Sequence, residues 1–254
     1  MTNRFKGKVA FVTGGSRGIG KAIIEQFAEE GAKVALIDIN EVALLEAEES
    51  LKAQGYDVFV EKADVVNAEE VETTMEEVVK RFGSLDILVN NAGVTRDNLF
   101  FKMTDSDWQQ VMDVHLKGSF NAARAAQRYM VENKYGRIIN ISSISALGNR
   151  GQANYATAKA GLQGLTKTLA IELGKFGITV NSVAPGFIET EMTKDTAKRI
   201  GVPFAKLVEA SVKEIPVNRS GKPADIANAV AFFADEQSSF VNGQVIYVAG
   251  GPKN

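Results

Sequence analysis

"KVAFVTGGSRGIGKAI", residues 8–23, decides how the rest of the chain is read. An apolar run rich in β-branched residues ends at Thr13, three glycines follow at the spacing Gly14-x3-Gly18-x-Gly20, and a helical pattern starts at once. Glycines let a backbone turn sharply and come close to a pyrophosphate, whose charge is then met by the free N–H groups of the helix N-terminus. The next apolar run, "KVALID", ends in Asp38, 18 residues after Gly20. An acidic side chain there can accept hydrogen bonds from an adenosine ribose. Together the two features predict a dinucleotide site.

Outward from this unit the same alternation repeats. Strands are expected at 8–13, 33–38, 57–61, 85–90, 137–142, 178–183 and 244–249, with helices at 18–30, 41–54, 67–82, about 105–133, 152–175 and 223–235. Nearly continuous apolar strands separated by helices describe a parallel sheet covered on both faces. The fold class is therefore α/β: one Rossmann-type, doubly wound, seven-stranded sheet formed by a single domain over residues 1–254. The interval 187–222 breaks the alternation and is expected to form a partly helical lid over a substrate site.

Composition removes several function classes. Lys and Arg number 29 against 31 Asp and Glu, a formal net charge of −2, with no basic cluster for nucleic acid. The chain has no cysteine and one histidine, His115, so no disulfide, thiolate chemistry or protein-built metal site is expected. No apolar run reaches the roughly 20 residues of a membrane span, and the first residues lack a signal-peptide pattern, so a cytoplasmic location is expected.

Two sites compete for the chemistry. "GGSRG" formally matches the G-x-S-x-G nucleophile elbow with Ser16 as nucleophile. Such hydrolases place their histidine late in the chain, after the acid, and His115 lies mid-chain in a helical pattern, so this reading fails. "ANYATAKAGL" instead sets Tyr155 and Lys159 four residues apart on one helix face. A nearby ammonium stabilises phenolate, and lowering a phenol's pKa by about three units takes roughly 4 kcal/mol. Ser142 and Ser143 end the strand "RIINISS" at the carboxyl edge, where ligands of open α/β sheets bind. A hydroxyl there can hold a substrate oxygen while Tyr155 handles its proton.

With "TGGSRGIG" (13–20), Asp64, "NNAG" (90–93), the serine, "YATAK" (155–159) and "APGFIETEMT" (184–193) in hand, the chain resembles the short-chain dehydrogenases/reductases from about residue 5 to 251. The resemblance implies Tyr155 as acid–base, Lys159 as its modulator and a ribose ligand, and a serine that orients the carbonyl. It implies cofactor contacts from Gly14, Ser16, Arg17, Gly18, Ile19, Gly20 and Asp38. Asp64 and Val65 would lie by the adenine, Asn91, Ala92 and Gly93 along the cleft, and Pro185, Gly186, Ile188 and Thr190 at the nicotinamide end. Tyr155 and Lys159 would also touch the cofactor. The family's usual spacing, 13 residues before the tyrosine, selects Ser142, whereas anchoring on the strand selects Ser143. Loops absorb deletions more readily than sheet registers, so Ser143 is expected, with Ser142 in reserve.

Where the family usually reads N-L-x-G, this chain reads "HLKG", so His115 resembles a substitute in a supporting position of the proton relay. The plain alternative is a helix-face histidine satisfied by backbone carbonyls. The motifs look most like reductases of 3-oxoacyl thioesters carried on acyl carrier protein or coenzyme A. A secondary-alcohol, sugar or polyol dehydrogenase is the second expectation, and a non-catalytic cofactor sensor a remote one. Relatives of this type use NADPH, but a 2′-phosphate would meet the Asp38 carboxylate, so NAD(H) is expected over NADP(H). A homotetramer is expected from the resemblance, packing through alanine-rich faces at 121–127 and 156–170 and through "VIYVAGG" (245–251).

Overall fold

The computed structural model describes residues 3–252. Seven strands, β1 (Val9–Thr13), β2 (Lys33–Asp38), β3 (Val58–Lys62), β4 (Ile87–Asn90), β5 (Gly136–Ile141), β6 (Ile178–Pro185) and β7 (Val245–Val248), form one sheet in the order β3-β2-β1-β4-β5-β6-β7. Every pairing is parallel. The order reverses between β1 and β4, and a crevice opens at the carboxyl ends of the strands there.

The sheet is buried on both faces by two apolar clusters. Alternate residues of β1 divide between them: Ala10 and Val12 face the side covered by α1 (Gly18–Glu29), while Val9 and Phe11 face the other. The first cluster also takes Phe27, Val230 and Phe233, the last two from α9 (Pro223–Ala234). The second takes Val71, Met75 and Val78 of α3 (Ala68–Phe82) and the alanines of a helix beginning at Gly118. Strand β2 is followed by α2 (Glu41–Ala53), whose first turn is capped by Asn40 accepting from the Ala43 N–H.

Two expectations change. The helix expected over about 105–133 is two helices, α4 (Asp105–Met112) and α5 (Gly118–Glu132), joined by a π-helical stretch at Asp113–Lys117. One extra residue per turn there displaces His115 from the regular helical face and turns it inward, where it is 1% exposed. Ala122, Ala123, Ala125 and Ala126 are buried within the chain, so the 121–127 stretch does not present an alanine face outward. What α5 exposes instead is Phe120, Arg124 and Arg128. The long helix α6 (Ala153–Leu173) does expose small residues, Thr157, Ala160 and Gly164, along with Ile171.

The interval 187–222 holds two short helices, α7 (Glu191–Ile200) and α8 (Phe204–Lys213). It is closed at its base by a bridge between Ile188 and Gly221. A Cβ on Gly221 would sit 2.3 Å from Ile188 Cδ1, so a larger residue there would push the Ile188 side chain aside.

Candidate active site

A cleft of about 530 Å³ runs along the carboxyl edge of β1, β2, β4, β5 and β6. Of the expected cofactor residues, Gly14, Arg17, Gly18, Ile19, Asp38, Asp64, Val65, Asn91, Ala92 and Gly93 line it, as do Pro185, Gly186, Ile188 and Thr190. Ser143, Tyr155, Lys159 and His115 line it too, beside Ser142.

The glycine loop has the shape a phosphate requires. Gly14 and Gly18 take left-handed φ values of +61° and +55°, which side chains with a Cβ rarely adopt. The residue before α1, Arg17, gives no side-chain cap, so the first N–H groups of the helix are left for an anion. Thr13 Oγ1 accepts from the N–H groups of Asn91 and Ala92, and the Asn91 side-chain amide donates to the carbonyls of Thr13 and Gly14. Thus β1 and β4 are stitched together where the loop starts. Asn121 of α5 likewise ties down the segment after β3, donating to the carbonyls of Val65 and Val66. These residues fit a dinucleotide.

Two expected contacts are indirect. Ser16 is buried and its hydroxyl donates to Asp38 Oδ2 at 2.5 Å. It orients the acid rather than facing the cleft, and that use also disposes of it as a nucleophile. Gly20 faces the loop's underside, where a Cβ would sit 2.2 Å from the Gly14 carbonyl oxygen. The Asp38 carboxylate also accepts from the Asn40 N–H at 3.0 Å and is held at the cleft edge. Ile39 follows it into the cleft wall, an apolar flank the sequence reading did not anticipate.

At the far end, α6 brings Tyr155 and Lys159 beneath the end of β5. Asn154, fully buried, fixes the helix start by donating to the carbonyls of Arg96 and Asp107. The two serines separate by their hydrogen bonds. Ser142 Oγ donates to the Lys159 carbonyl at 2.8 Å and accepts from Gln163, so its hydroxyl is consumed within the fold. Ser143 faces Tyr155, and its hydroxyl favours the phenolate.

Lys159 is 3% exposed, and its Nζ donates to the Ile141 carbonyl at 2.7 Å and lies 5.4 Å from the Tyr155 ring centre. Burial lowers its ammonium to about 7. Burial likewise pushes the Tyr155 phenol up to about 12, aided by the charge of Asp97 and opposed by Ser143. Burial thus works against the lowering of Tyr155 that the i,i+4 spacing led us to expect from Lys159. Two of the three Lys159 donors have no acceptor among the described residues, which leaves them for a ligand such as a ribose hydroxyl.

His115 packs edge-on against the Tyr155 ring, 5.2 Å between centres at 88°. Its Nε2 either donates to the Val94 carbonyl (2.9 Å) or accepts from the Val94 N–H (3.2 Å), depending on the tautomer. Nδ1 is buried without a partner. Burial, reinforced by Lys159, holds the imidazole well below its usual pKa, so it stands neutral beside the tyrosine. Gly93 is required here, because a Cβ would fall 2.4 Å from the imidazole Cε1.

Sequence reasoning missed the polar rim of this end: Asp97, Asn149, Gln152 and Arg199 form one hydrogen-bonded chain.

Comparison with known proteins agrees with this geometry. A family model described as Enoyl-(Acyl carrier protein) reductase matches residues 14–253. The 3-oxoacyl-[acyl-carrier-protein] reductase FabG of Staphylococcus aureus (strain N315) is 48% identical over 96% of this chain and 97% of its own length. The FabG of Escherichia coli (strain K12) is 42% identical over 97% and 98% respectively. Levodione reductase superposes with a TM-score of 0.93 at 32% identity, covering 98% of both chains. A gluconate 5-dehydrogenase from Burkholderia cenocepacia J2315, solved with NADP and tartrate, gives 0.90 at 34% identity, covering 98% of this chain and 96% of that one. Among the described residues no helix is long and apolar enough to cross a membrane. With the glycine cradle, the Ser143–Tyr155–Lys159 cluster and these likenesses over nearly its whole length, the chain belongs to the short-chain dehydrogenase/reductase family of nicotinamide-dependent oxidoreductases.

Proposed function

We propose that this protein reduces 3-oxoacyl thioesters to 3-hydroxyacyl thioesters, or runs the reverse oxidation, with NAD(H) as cofactor. The observation that carries the reading is the convergence of the Ser143 and Tyr155 hydroxyls in a cleft whose outer wall is apolar, with Ile144, Phe187, Met192 and Leu207. Such a wall suits an acyl chain, and two hydroxyls on one oxygen suit a ketone. The bound nicotinamide supplies or takes the hydride. Ser143 holds the carbonyl oxygen, and Tyr155, neutral at pH 7, gives that oxygen its proton on reduction. Lys159 binds the nicotinamide ribose, and His115 steadies the tyrosine ring while neutral. The segment 187–222 acts as lid within a single unit spanning 1–254, whose terminal residues 1–2 and 253–254 lie outside the described structure.

NADH-linked turnover of acetoacetyl-CoA, run beside small ketones and polyols, tests the substrate class. A preference for polyols or cyclic ketones would favour the second reading, which the gluconate 5-dehydrogenase and levodione reductase likenesses suggest. Acyl carrier protein is the expected macromolecular donor, given the S. aureus and E. coli relatives. A cytoplasmic homotetramer is the expected state, with exposed Phe240, Ile246 and Ile171 as its apolar contacts. A monomer in light scattering at micromolar concentration overturns that part.

The NAD(H) preference rests on Asp38. Its carboxylate, fixed by Ser16 and Asn40, gives charge-assisted hydrogen bonds to ribose hydroxyls and repels a 2′-phosphate. Arg17 lies at the same end but is exposed, where a single pair contributes little. The expected ratio of kcat/KM for NADH over NADPH is at least about tenfold, or about 1.4 kcal/mol. Asp38→Ser moves the ratio toward NADPH. Wild-type enzyme that prefers limiting NADPH would show that Asp38 does not meet the ribose.

For His115, the Asn variant keeps a side chain that can bond the Val94 backbone and retains most activity. The Leu variant leaves that backbone unpaired and loses about tenfold in kcat. Equal, near-wild-type rates for both would leave His115 only a packing role.

A further inference from the structure

The two helices of the lid are fastened to the body by one side-chain interaction, while the base of the segment is held separately by Arg219, paired with Asp225 of α9. Among the described residues, no hydrogen bond or ion pair joins a side chain of α7 or α8 to a residue outside 187–222 except that of Arg199, whose Nη2 lies 2.6 Å from Asp97 Oδ2. The other charged pairs of the two helices are internal: Lys194–Glu191, Lys198–Asp195 and Lys213–Glu209. Apolar anchoring is slight, since α7 buries only Ala197 and α8 buries nothing. By these measures the lid belongs to the least stable part of the molecule.

Asp97 is at the same time joined to the helix that carries Tyr155. Its Oδ2 accepts from Gln152 Nε2 at 3.1 Å, and Gln152 Oε1 accepts from Asn149 Nδ2 at 2.8 Å. Gln152 is the residue on which α6 begins, and the Asn98 N–H donates to the Gly151 carbonyl beside it. The second carboxylate oxygen, Oδ1, is buried with no partner.

We propose that the Asp97–Arg199 ion pair is the latch of the lid, and that Asp97 is a positioning residue which transmits the lid's state to Tyr155 through its charge and through Gln152. The proposal rests on Tyr155 being the acid–base group. With the lid closed, Arg199 balances the carboxylate. With it open, the carboxylate stands uncompensated near the phenol, which it disfavours as phenolate. The other titratable groups facing Tyr155 are Lys159 on its own helix and His115 from the π-helical stretch, and neither belongs to the lid. Closure thus lowers the cost of the phenolate when substrate is enclosed, and opening raises it.

The two halves of the pair give opposite signs, which a purely mechanical clasp does not. Asp97→Asn removes the negative charge, so the basic limb of the pH profile for 3-hydroxybutyryl-CoA oxidation should move to lower pH. Arg199→Met exposes that charge, so the limb should move to higher pH. Each displacement is expected to be about half a pH unit. Arg199→Lys, which keeps the charge, should stay near wild type. Independently of turnover, trypsin should cut at Lys194 several-fold faster in both Asp97→Asn and Arg199→Met, with unchanged global unfolding midpoints. Unaltered cleavage in both overturns the latch. Faster cleavage with profiles that shift in the same direction, or not at all, overturns the coupling to Tyr155. Near-normal turnover of Tyr155→Phe would instead overturn the underlying assignment, and the proteolysis result would still decide the latch.

Discussion

Tyr155→Phe should fold normally, bind NADH as the parent does and lose at least about 100-fold in kcat, the scale of a missing acid–base group. The phenolic oxygen is the only heavy atom removed. Its partner in the chain is Ser143, and the ring keeps its edge-on contact with His115. Loss of one hydrogen bond at this site costs stability on the order of 1 kcal/mol or less, because the Ser143 hydroxyl also accepts from the Ser145 N–H and is not stranded. The pH dependence should differ between directions. With the phenol pushed up to about 12 by burial, the protonated form needed for ketone reduction is fully present at pH 7. The phenolate needed for alcohol oxidation is scarce there, so oxidation should climb with pH through the alkaline range. The raised pKa also makes a statement about stability. The fold is favoured by this group below about pH 10, and that contribution is lost as pH rises from 10 toward 12. Tyr155→Phe should lack that alkaline loss. Retained turnover in the Phe variant, measured with saturating NADH and acetoacetyl-CoA, would rule out the proposed proton donor.

How far these features were legible depends on the distance over which each is encoded. The glycine loop, the strand ending in Asp38 and the Tyr155–Lys159 pair are local patterns, and local patterns survive in a sequence because side-chain period and backbone conformation act within a turn or two. The interruption at Asp113–Lys117 was not visible, since a single inserted residue hardly disturbs apolar periodicity over nearly thirty positions. The alanines of 121–127 were legible as small residues but not as buried ones: which face of α5 packs on the sheet is decided by β4, β5 and α3, not by α5. Burial is likewise the part of the Lys159 environment that spacing does not carry. Its i,i+4 neighbour was readable, whereas the burial that lowers its pKa is set by tertiary packing. The Asp97–Arg199 contact joins residues 102 positions apart and has no sequence signature.

Replacing that buried lysine should separate stability from activity. Lys159→Met is expected to lower turnover at least about 100-fold and to weaken NADH binding, since it removes the two donors that the fold leaves for a ligand. The same change should stabilise the cofactor-free chain at pH 6. Lys159 is 3% exposed, its Nζ has one carbonyl partner, and burial has lowered its pKa from 10.5 to about 7. The folded form binds that proton more weakly than the unfolded chain does. Below about pH 7 the fold must carry a buried ammonium and the full penalty applies, at most about 5 kcal/mol for a displacement of this size. Between pH 7 and 10.5 the folded lysine is already neutral while the unfolded one is not, so stability rises with pH and the penalty fades. A thioether of similar length fills the space without charge. Its cost is the lost bond to the Ile141 carbonyl, about 1 kcal/mol. The net gain at pH 6 should be about 1–3 kcal/mol in urea unfolding, shrinking to nothing or reversing by pH 10.5, an active-site residue held at the expense of stability. Equal unfolding midpoints for parent and variant at pH 6 would mean that the ammonium is better solvated than its burial implies, and that it is available as a fixed cation beside Tyr155 even before cofactor binds.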